Sequence, residues 1–145
     1  MITICAIQMT DLVQYAALCD ELFGEKTNMT ALTEAVRKIR SNTDYLLIGA
    51  KDKNGALLGA VMGIVCIDTV GNCRPFMVLE NLIVSERYHR LGIGKRLVEN
   101  LEKTARERNC YFIMLMSLMK RKEAHLFYEA LGYSKEIAQG FKKYL

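Results

Sequence analysis

Residues 78–101 read VLENLIVSERYHRLGIGKRLVENL, and the rest of the chain is organised around them. Val78-Leu79 and Leu82-Ile83-Val84 form an apolar run rich in β-branched residues, the signature of a buried strand. A polar turn from Ser85 to His89 leads into Arg90-Leu91-Gly92-Ile93-Gly94-Lys95. Beyond it, Leu97, Val98 and Leu101 recur at helical spacing with charges between them. Strand, glycine turn and helix together aim several free backbone N–H groups, and the positive end of the helix dipole, at one point. Gly92 and Gly94 carry no Cβ, so an anion can approach the main chain. Arg87, Arg90, Lys95 and Arg96 add positive charge around the rim. The stretch reads as a cradle for a diphosphate.

The details separate it from other phosphate-binding turns. A dinucleotide fingerprint needs G-x-G-x-x-G, but Leu97 stands at the third glycine position. A P-loop needs G-x-x-x-x-G-K-[ST], but Arg96 follows Gly94-Lys95 and His89 occupies the first glycine position. The window His89-Arg90-Leu91-Gly92-Ile93-Gly94 resembles the acetyl-coenzyme A turn, [QR]-x-x-G-x-[GA], of the GNAT superfamily of N-acetyltransferases. Both glycines match, and His89 replaces the usual Gln or Arg. Such a cradle acts through backbone N–H groups, so the resemblance implies that the replacement is tolerated.

Length and composition bound the alternatives. The chain has 145 residues, 51% of them hydrophobic, enough for one domain with a real core. Its net charge of +4 comes from basic residues mixed with acidic ones, which suits an anionic cofactor and does not suit nucleic acid. Cys5, Cys19, Cys66, Cys73 and Cys110 are widely and irregularly spaced. With His89 and His125 they make no metal pattern, so no metal is expected. Most sit in or beside apolar runs, as small buried hydrophobes of a reducing compartment do. Thr10-Asp11 interrupts the first apolar residues, which excludes a signal-peptide reading, and no apolar run approaches a membrane span. A cytoplasmic protein without membrane or nucleic-acid partners is expected.

In chain order, residues 2–8 read as a strand. Thr10 is the expected N-cap of a helix carrying Leu12, Tyr15, Leu18, Cys19 and Leu22 on one face and ending at Gly24. A second helix covers 31–41, with Leu32, Ala35, Val36 and Ile39 inward. Strands at 45–51 and 56–68 flank an Asn54-Gly55 hairpin turn. The helix after the cradle carries the i,i+4 pairs Lys95/Glu99, Glu99/Lys103 and Glu102/Arg106. The apolar run 111–118 reads as a strand covered on both faces. A short helix over 121–131 stops at Gly132, and 140–145 reads as a last strand. The order β-α-α-β-β-β-α-β-α-β predicts a mixed α+β domain over residues 1–145 with helices on both faces of the sheet.

That order is also the GNAT order, and the resemblance covers nearly the whole chain. A second block, Ala124-His125-Leu126-Phe127-Tyr128-Glu129-Ala130-Leu131-Gly132-Tyr133, is similar to the family's A-x-x-[FL]-Y-x-x-x-G-[FY]. Lys120 to His125 with Phe127-Tyr128 resembles aminoalkylphosphonate N-acetyltransferases. Glu80 to Val84 with Cys110-Tyr111 resembles glucosamine-phosphate N-acetyltransferases. Arg121 stands where many members have Asn, three residues before the alanine of the last helix. The resemblance implies a mostly antiparallel sheet of six to seven strands with about four helices.

It also implies acetyl-CoA as cofactor and transfer to a primary amine of a small molecule by direct attack. The implied contacts are Leu82, Ile83 and Val84, through main-chain N–H groups at a strand bulge that would meet the oxyanion, and His89, Arg90, Leu91, Gly92, Ile93, Gly94 and Lys95. An amine near pKa 10 must lose a proton before it attacks, and Glu80, a carboxylate inside an apolar strand, is the candidate base. Equally open is a structural carboxylate that caps backbone or pairs with Arg. Tyr128 matches the family's general acid for the leaving thiolate. His125 shares a helical face with Arg121 and Tyr128. Glu25, Asp68 and the loop 25–30 are places to read an acceptor. A non-catalytic acyl-CoA-binding domain and a protein or peptide acetyltransferase remain the rival functions. Exposed sheet edges are compatible with a homodimer.

Overall fold

The computed structural model describes residues 1–145, which fall into two compact units, Met1–Met114 and Leu115–Leu145. The first unit carries β1 (Thr3–Ala6), α1 (Leu12–Phe23), α2 (Met29–Arg40), β2 (Tyr45–Lys51), β3 (Leu57–Cys66), β4 (Phe76–Val84), α3 (Ile93–Glu107) and β5 (Ile113–Met114). One-turn 3-10 helices at Met9–Asp11 and Glu86–Tyr88 complete it. The second unit carries α4 (Lys122–Ala130).

Local chemistry sets most boundaries. The Asp11 carboxylate accepts the Gln8 N–H at 2.7 Å and pairs with Lys51 Nζ at 2.7 Å. That makes a 3-10 turn of Met9–Asp11, so α1 begins at Leu12 and Thr10 is not its N-cap. Gly24, at φ +70°, closes α1 in the left-handed conformation that glycine reaches without strain. Asn28 caps α2 by accepting the Ala31 N–H at 3.0 Å, which starts that helix two residues before the expected Ala31. In the 52–55 turn the Gly55 N–H donates to Asp52 O at 3.1 Å, with Gly55 at φ +82°.

The sheet has five strands in the order β1-β2-β3-β4-β5, antiparallel except for the β4–β5 pair. On one face Leu47, Ala60 and Ile83 pack with Tyr15 and Leu18 of α1 and Val36 of α2. The other face belongs to α3: a Cβ at Gly63 would lie 2.9 Å from Leu101 and 3.2 Å from Met77. Leu97, Val98 and Leu101 of α3 are fully buried, as the helical spacing predicts. Its outer face carries the Lys95–Glu99 and Arg106–Glu102 pairs, but Lys103 reaches Glu107 in place of Glu99.

Two expected strands differ, one shortened and one absent, and the sheet has five strands in place of six to seven. The run 111–118 contributes to the ladder only at Ile113–Met114, opposite Met77 and Val78. The β4 partner bends at a bulge soon afterwards, described below, and a bent strand cannot keep a parallel ladder. Residues 140–145 form no strand. Phe141-Lys142-Lys143-Tyr144 lacks the period-2 alternation that fixes one face of a strand. In the second unit, Gly132 at φ +93° follows α4, whose Tyr128 carbonyl accepts the Leu131 and Tyr133 N–H groups at 3.0 Å each. All five cysteines are free, and four are half-buried while Cys73 is exposed, so none is a fully buried core residue. No helix is long and apolar enough to cross a membrane.

Candidate active site

Strand β4 is regular from Phe76 to Glu80 and then changes register. Met62 pairs with Glu80 and Ala60 with Ile83, so Asn81 and Leu82 together oppose Val61. This is a β-bulge, with Asn81 at φ +52° in the left-handed region. The bulge inverts the alternation of the strand. Without it, Ile83 would share a face with Leu79 and Met77, against α3. With it, Ile83 shares a face with Glu80, toward α1 and α2. The strands close again beyond the bulge: a Cβ at Gly59 would lie 2.7 Å from Ile83 O and 3.3 Å from Val84 Cα.

The end of β4 is tied to the cradle. Ser85 N–H donates back to Leu58 O at 3.0 Å, so Val84, one residue earlier, turns its polar backbone away from β3. Its carbonyl receives His89 Nε2 at 2.8 Å. The β5 ladder pairs with β4 only at Met77 and Val78, so Leu79 to Val84 take no part in it.

Arg90 at φ +63° and Gly92 at φ +73° then bracket Leu91. Gly92 is the N-cap of α3 and offers no side chain to cap it. The first intrahelical bond, Arg96 N–H to Gly92 O, is 3.0 Å. The N–H groups of Ile93, Gly94 and Lys95 therefore emerge from the helix end without intrahelical acceptors. A Cβ on Gly92 would meet nothing within 4 Å, so there is open space above the turn. Arg96 donates to Ile2 O at 2.8 Å, and Arg87 lies over the Tyr88 ring. Uncapped donors and open space fit a diphosphate, the part of coenzyme A that a helix N-terminus holds best.

A cavity of about 110 Å³ lies beside this corner, lined by Leu18, Glu21, Leu22, Ile83, Val84, Glu86 and His89. A larger depression, about 560 Å³, runs along α2 past Met29, Thr33 and Arg37, and none of the expected site residues lines it.

The structure thus brings Leu82, Ile83, Val84 and His89 to Lys95 into one corner of the first unit, with Glu80 one bulge away. Glu80 is half-buried and makes no ion pair or side-chain hydrogen bond, so neither structural explanation, a cap or an Arg partner, applies to it. Tyr128 belongs to the second unit, where it packs edge-to-face on Phe127 at 5.2 Å and Tyr133 at 6.0 Å. Arg121 takes the N-cap position of α4 without a side-chain cap, and His125 Nε2 lies 2.9 Å from Leu118 O. Asp68 bonds to the Thr69 N–H and lies outside the corner.

Sequence reading missed Glu21. Its Oε1 accepts the Glu86 N–H at 2.6 Å across 65 residues of chain. No periodicity or motif signals so distant a contact.

Comparison with known proteins adds to this geometry. The model of the acetyltransferase (GNAT) family matches residues 11–133. A probable glucosamine 6-phosphate N-acetyltransferase of Drosophila melanogaster is 27% identical over 107 residues, 73% of this chain and 48% of the relative. The chain thus spans about half the length of that curated relative. Among solved structures, a putative acetyltransferase from Agrobacterium tumefaciens superposes with a TM-score of 0.91 at 21% identity, over 99% of both chains. AAC(6')-Iy, solved with the bisubstrate analogue CoA-S-monomethyl-acetylneamine, superposes with a TM-score of 0.82 at 17% identity, over 100% of this chain and 99% of that one.

Proposed function

Because the chain belongs to the acetyltransferase (GNAT) family, we propose that it transfers an acetyl group from acetyl-CoA to a primary amine of a small molecule, by direct attack with both substrates bound. The observation that carries the reading is the bulge at Asn81 beside the uncapped N-terminus of α3. One element shifts the register of the strand and the other presents N–H donors without intrahelical acceptors.

Acetyl-CoA supplies the activated acyl group as a thioester. The N–H groups of Ile93, Gly94 and Lys95, with Arg90 and Leu91 in the preceding turn, are assigned to its diphosphate. Main-chain N–H groups in Leu82 to Val84 are assigned to the acyl oxygen, where negative charge develops. Glu80 takes the proton of the acceptor ammonium, directly or through a water, since an amine near pKa 10 is mostly charged at neutral pH. Tyr128 gives a proton to the departing thiolate. A phenol near pKa 10 can protonate a thiolate whose acid has a pKa near 8.5 without much tuning. The Tyr128 role rests on its place in the Ala124–Tyr133 block.

Glucosamine 6-phosphate is the first acceptor to try, on the name of the fly relative. The five free cysteines support a reducing, cytoplasmic setting. The outer edge of β1, which pairs only with β2, is the proposed surface for a homodimer.

Acetyl-CoA titration and turnover of Tyr128→Phe test the reading. Binding should stay near wild type while turnover falls about a hundredfold, the share that one proton donor supplies. Binding without turnover in wild type, across a broad range of amines, would favour a non-catalytic acyl-CoA-binding domain instead.

A further inference from the structure

Asp20 and Glu21 are neighbours near the end of α1, and each spends its carboxylate on a loop. Asp20 Oδ1 accepts both the Thr27 N–H at 2.7 Å and the Thr27 hydroxyl at 2.6 Å, which pins the segment after α1. Glu21 Oε1 accepts the Glu86 N–H at 2.6 Å. Glu86 opens the one-turn helix that leads into the cradle, and Ser85 gives that helix no side-chain cap. Glu21 therefore caps it from a different element. At the far end of the same turn, His89 Nε2 grips Val84 O at 2.8 Å.

Segment 85–89 is thus held at both ends, and it feeds directly into Arg90 at φ +63° and Gly92 at φ +73°. A long side chain such as that of Arg90 enters the left-handed region at an energetic cost that its surroundings must offset. The position of the α3 donors depends on those two residues. A carboxylate near a diphosphate site also carries an electrostatic penalty, so its presence calls for a compensating role.

We propose that Glu21 is a positioning residue for the cofactor cradle: by capping Glu86 it sets the conformation that presents the α3 N–H groups to acetyl-CoA. This rests on acetyl-CoA being the ligand of that turn. Glu21 touches no reacting atom. Its work is geometric, so an uncharged acceptor of the same reach serves as well, and a shorter acid does not.

The test titrates acetyl-CoA calorimetrically into the full chain as wild type, Glu21→Ala, Glu21→Asp and Glu21→Gln, with steady-state kinetics and thermal melts beside it. Glu21→Ala and Glu21→Asp should raise both Kd and KM for acetyl-CoA about tenfold, the effect of losing one hydrogen bond, with kcat within about twofold of wild type. Glu21→Gln keeps an acceptor for the Glu86 N–H and removes the negative charge, so its Kd should equal or fall below that of wild type. The proposal is overturned by a Glu21→Ala protein with wild-type Kd, by a Glu21→Gln protein as weak as Glu21→Ala, or by a loss confined to kcat. A wild-type chain that binds no acetyl-CoA would instead overturn the functional reading on which this one stands.

Discussion

His89 Nε2 lies 2.8 Å from the carbonyl oxygen of Val84, closing the five-residue segment between the bulged strand and the glycine turn. A carbonyl only accepts, so Nε2 carries the hydrogen. That donor is present in neutral and protonated imidazole alike, and the clamp does not depend on the histidine's charge. His89→Ala should raise the KM for acetyl-CoA about tenfold, as expected for one lost hydrogen bond that orders a loop. His89→Gln, which restores a side-chain N–H donor, should lose less. Equal losses in the two variants would show that the Val84 contact is not what His89 contributes.

Asn81 holds the bulge at φ +52°. Asn tolerates this region better than most residues, and Gly tolerates it fully. Asn81→Val should destabilise the chain by roughly 1–2 kcal/mol, the penalty for a left-handed L-residue, and lower turnover by shifting Glu80 and Val84 relative to each other. Asn81→Gly should preserve the bulge. Urea unfolding with parallel kinetics separates the two effects, and wild-type behaviour of Asn81→Val would mean that the bulge does not position the site.

Gly59 makes the closest backbone approach beside the site. Its missing Cβ would lie 2.7 Å from Ile83 O, a main-chain atom that cannot swing away as a side chain can. Gly59→Ala should force β3 and β4 apart next to Val84. The expected result is a loss of about 1–3 kcal/mol, typical of an overpacked core position, together with weaker turnover. An unchanged melting temperature would contradict the close approach.

Much of this was legible in the sequence, and the exceptions share a cause. The strand, glycine turn and helix over 78–101, the burial of Leu97, Val98 and Leu101, and the strand 45–51 follow from local periodicity and glycine placement, and the structure keeps them. The bulge was not visible as a pattern, because Val61 faces two residues, Asn81 and Leu82, only once β3 and β4 have paired. The 111–118 run looked like a full strand because apolar content does not say how long a partner stays straight. Glu21 reads as a solvated charge on α1 until Glu86 arrives from a distant loop. For Glu80, the sequence left open a structural partner that the structure does not supply.

Alkaline pH offers a test of the core beneath the site. Burial raises the pKa of the Tyr15 phenol well above its ordinary value of 10.0, with Cys19 adding to the effect. Burial likewise raises the Cys19 thiol above 9.0. The folded chain therefore holds protons that the unfolded chain releases near those ordinary values. Stability is full below about pH 9 and falls as pH rises through 9 to 10 and beyond. Thermal melts from pH 7 to pH 10.5 should show a declining midpoint, shallower in Tyr15→Phe. A flat profile would contradict burial of the pair.

Acetyl transfer to a small amine is tested most directly by mass spectrometry of the products. Acetyl-CoA would be incubated with the chain and a panel of amino-sugar phosphates, aminoalkylphosphonates, aminoglycosides, polyamines and peptides. The expected result is a gain of one acetyl group on a small primary amine, abolished by Glu80→Gln combined with Tyr128→Phe. No acetylated small molecule, or a product found only on peptides, would contradict it.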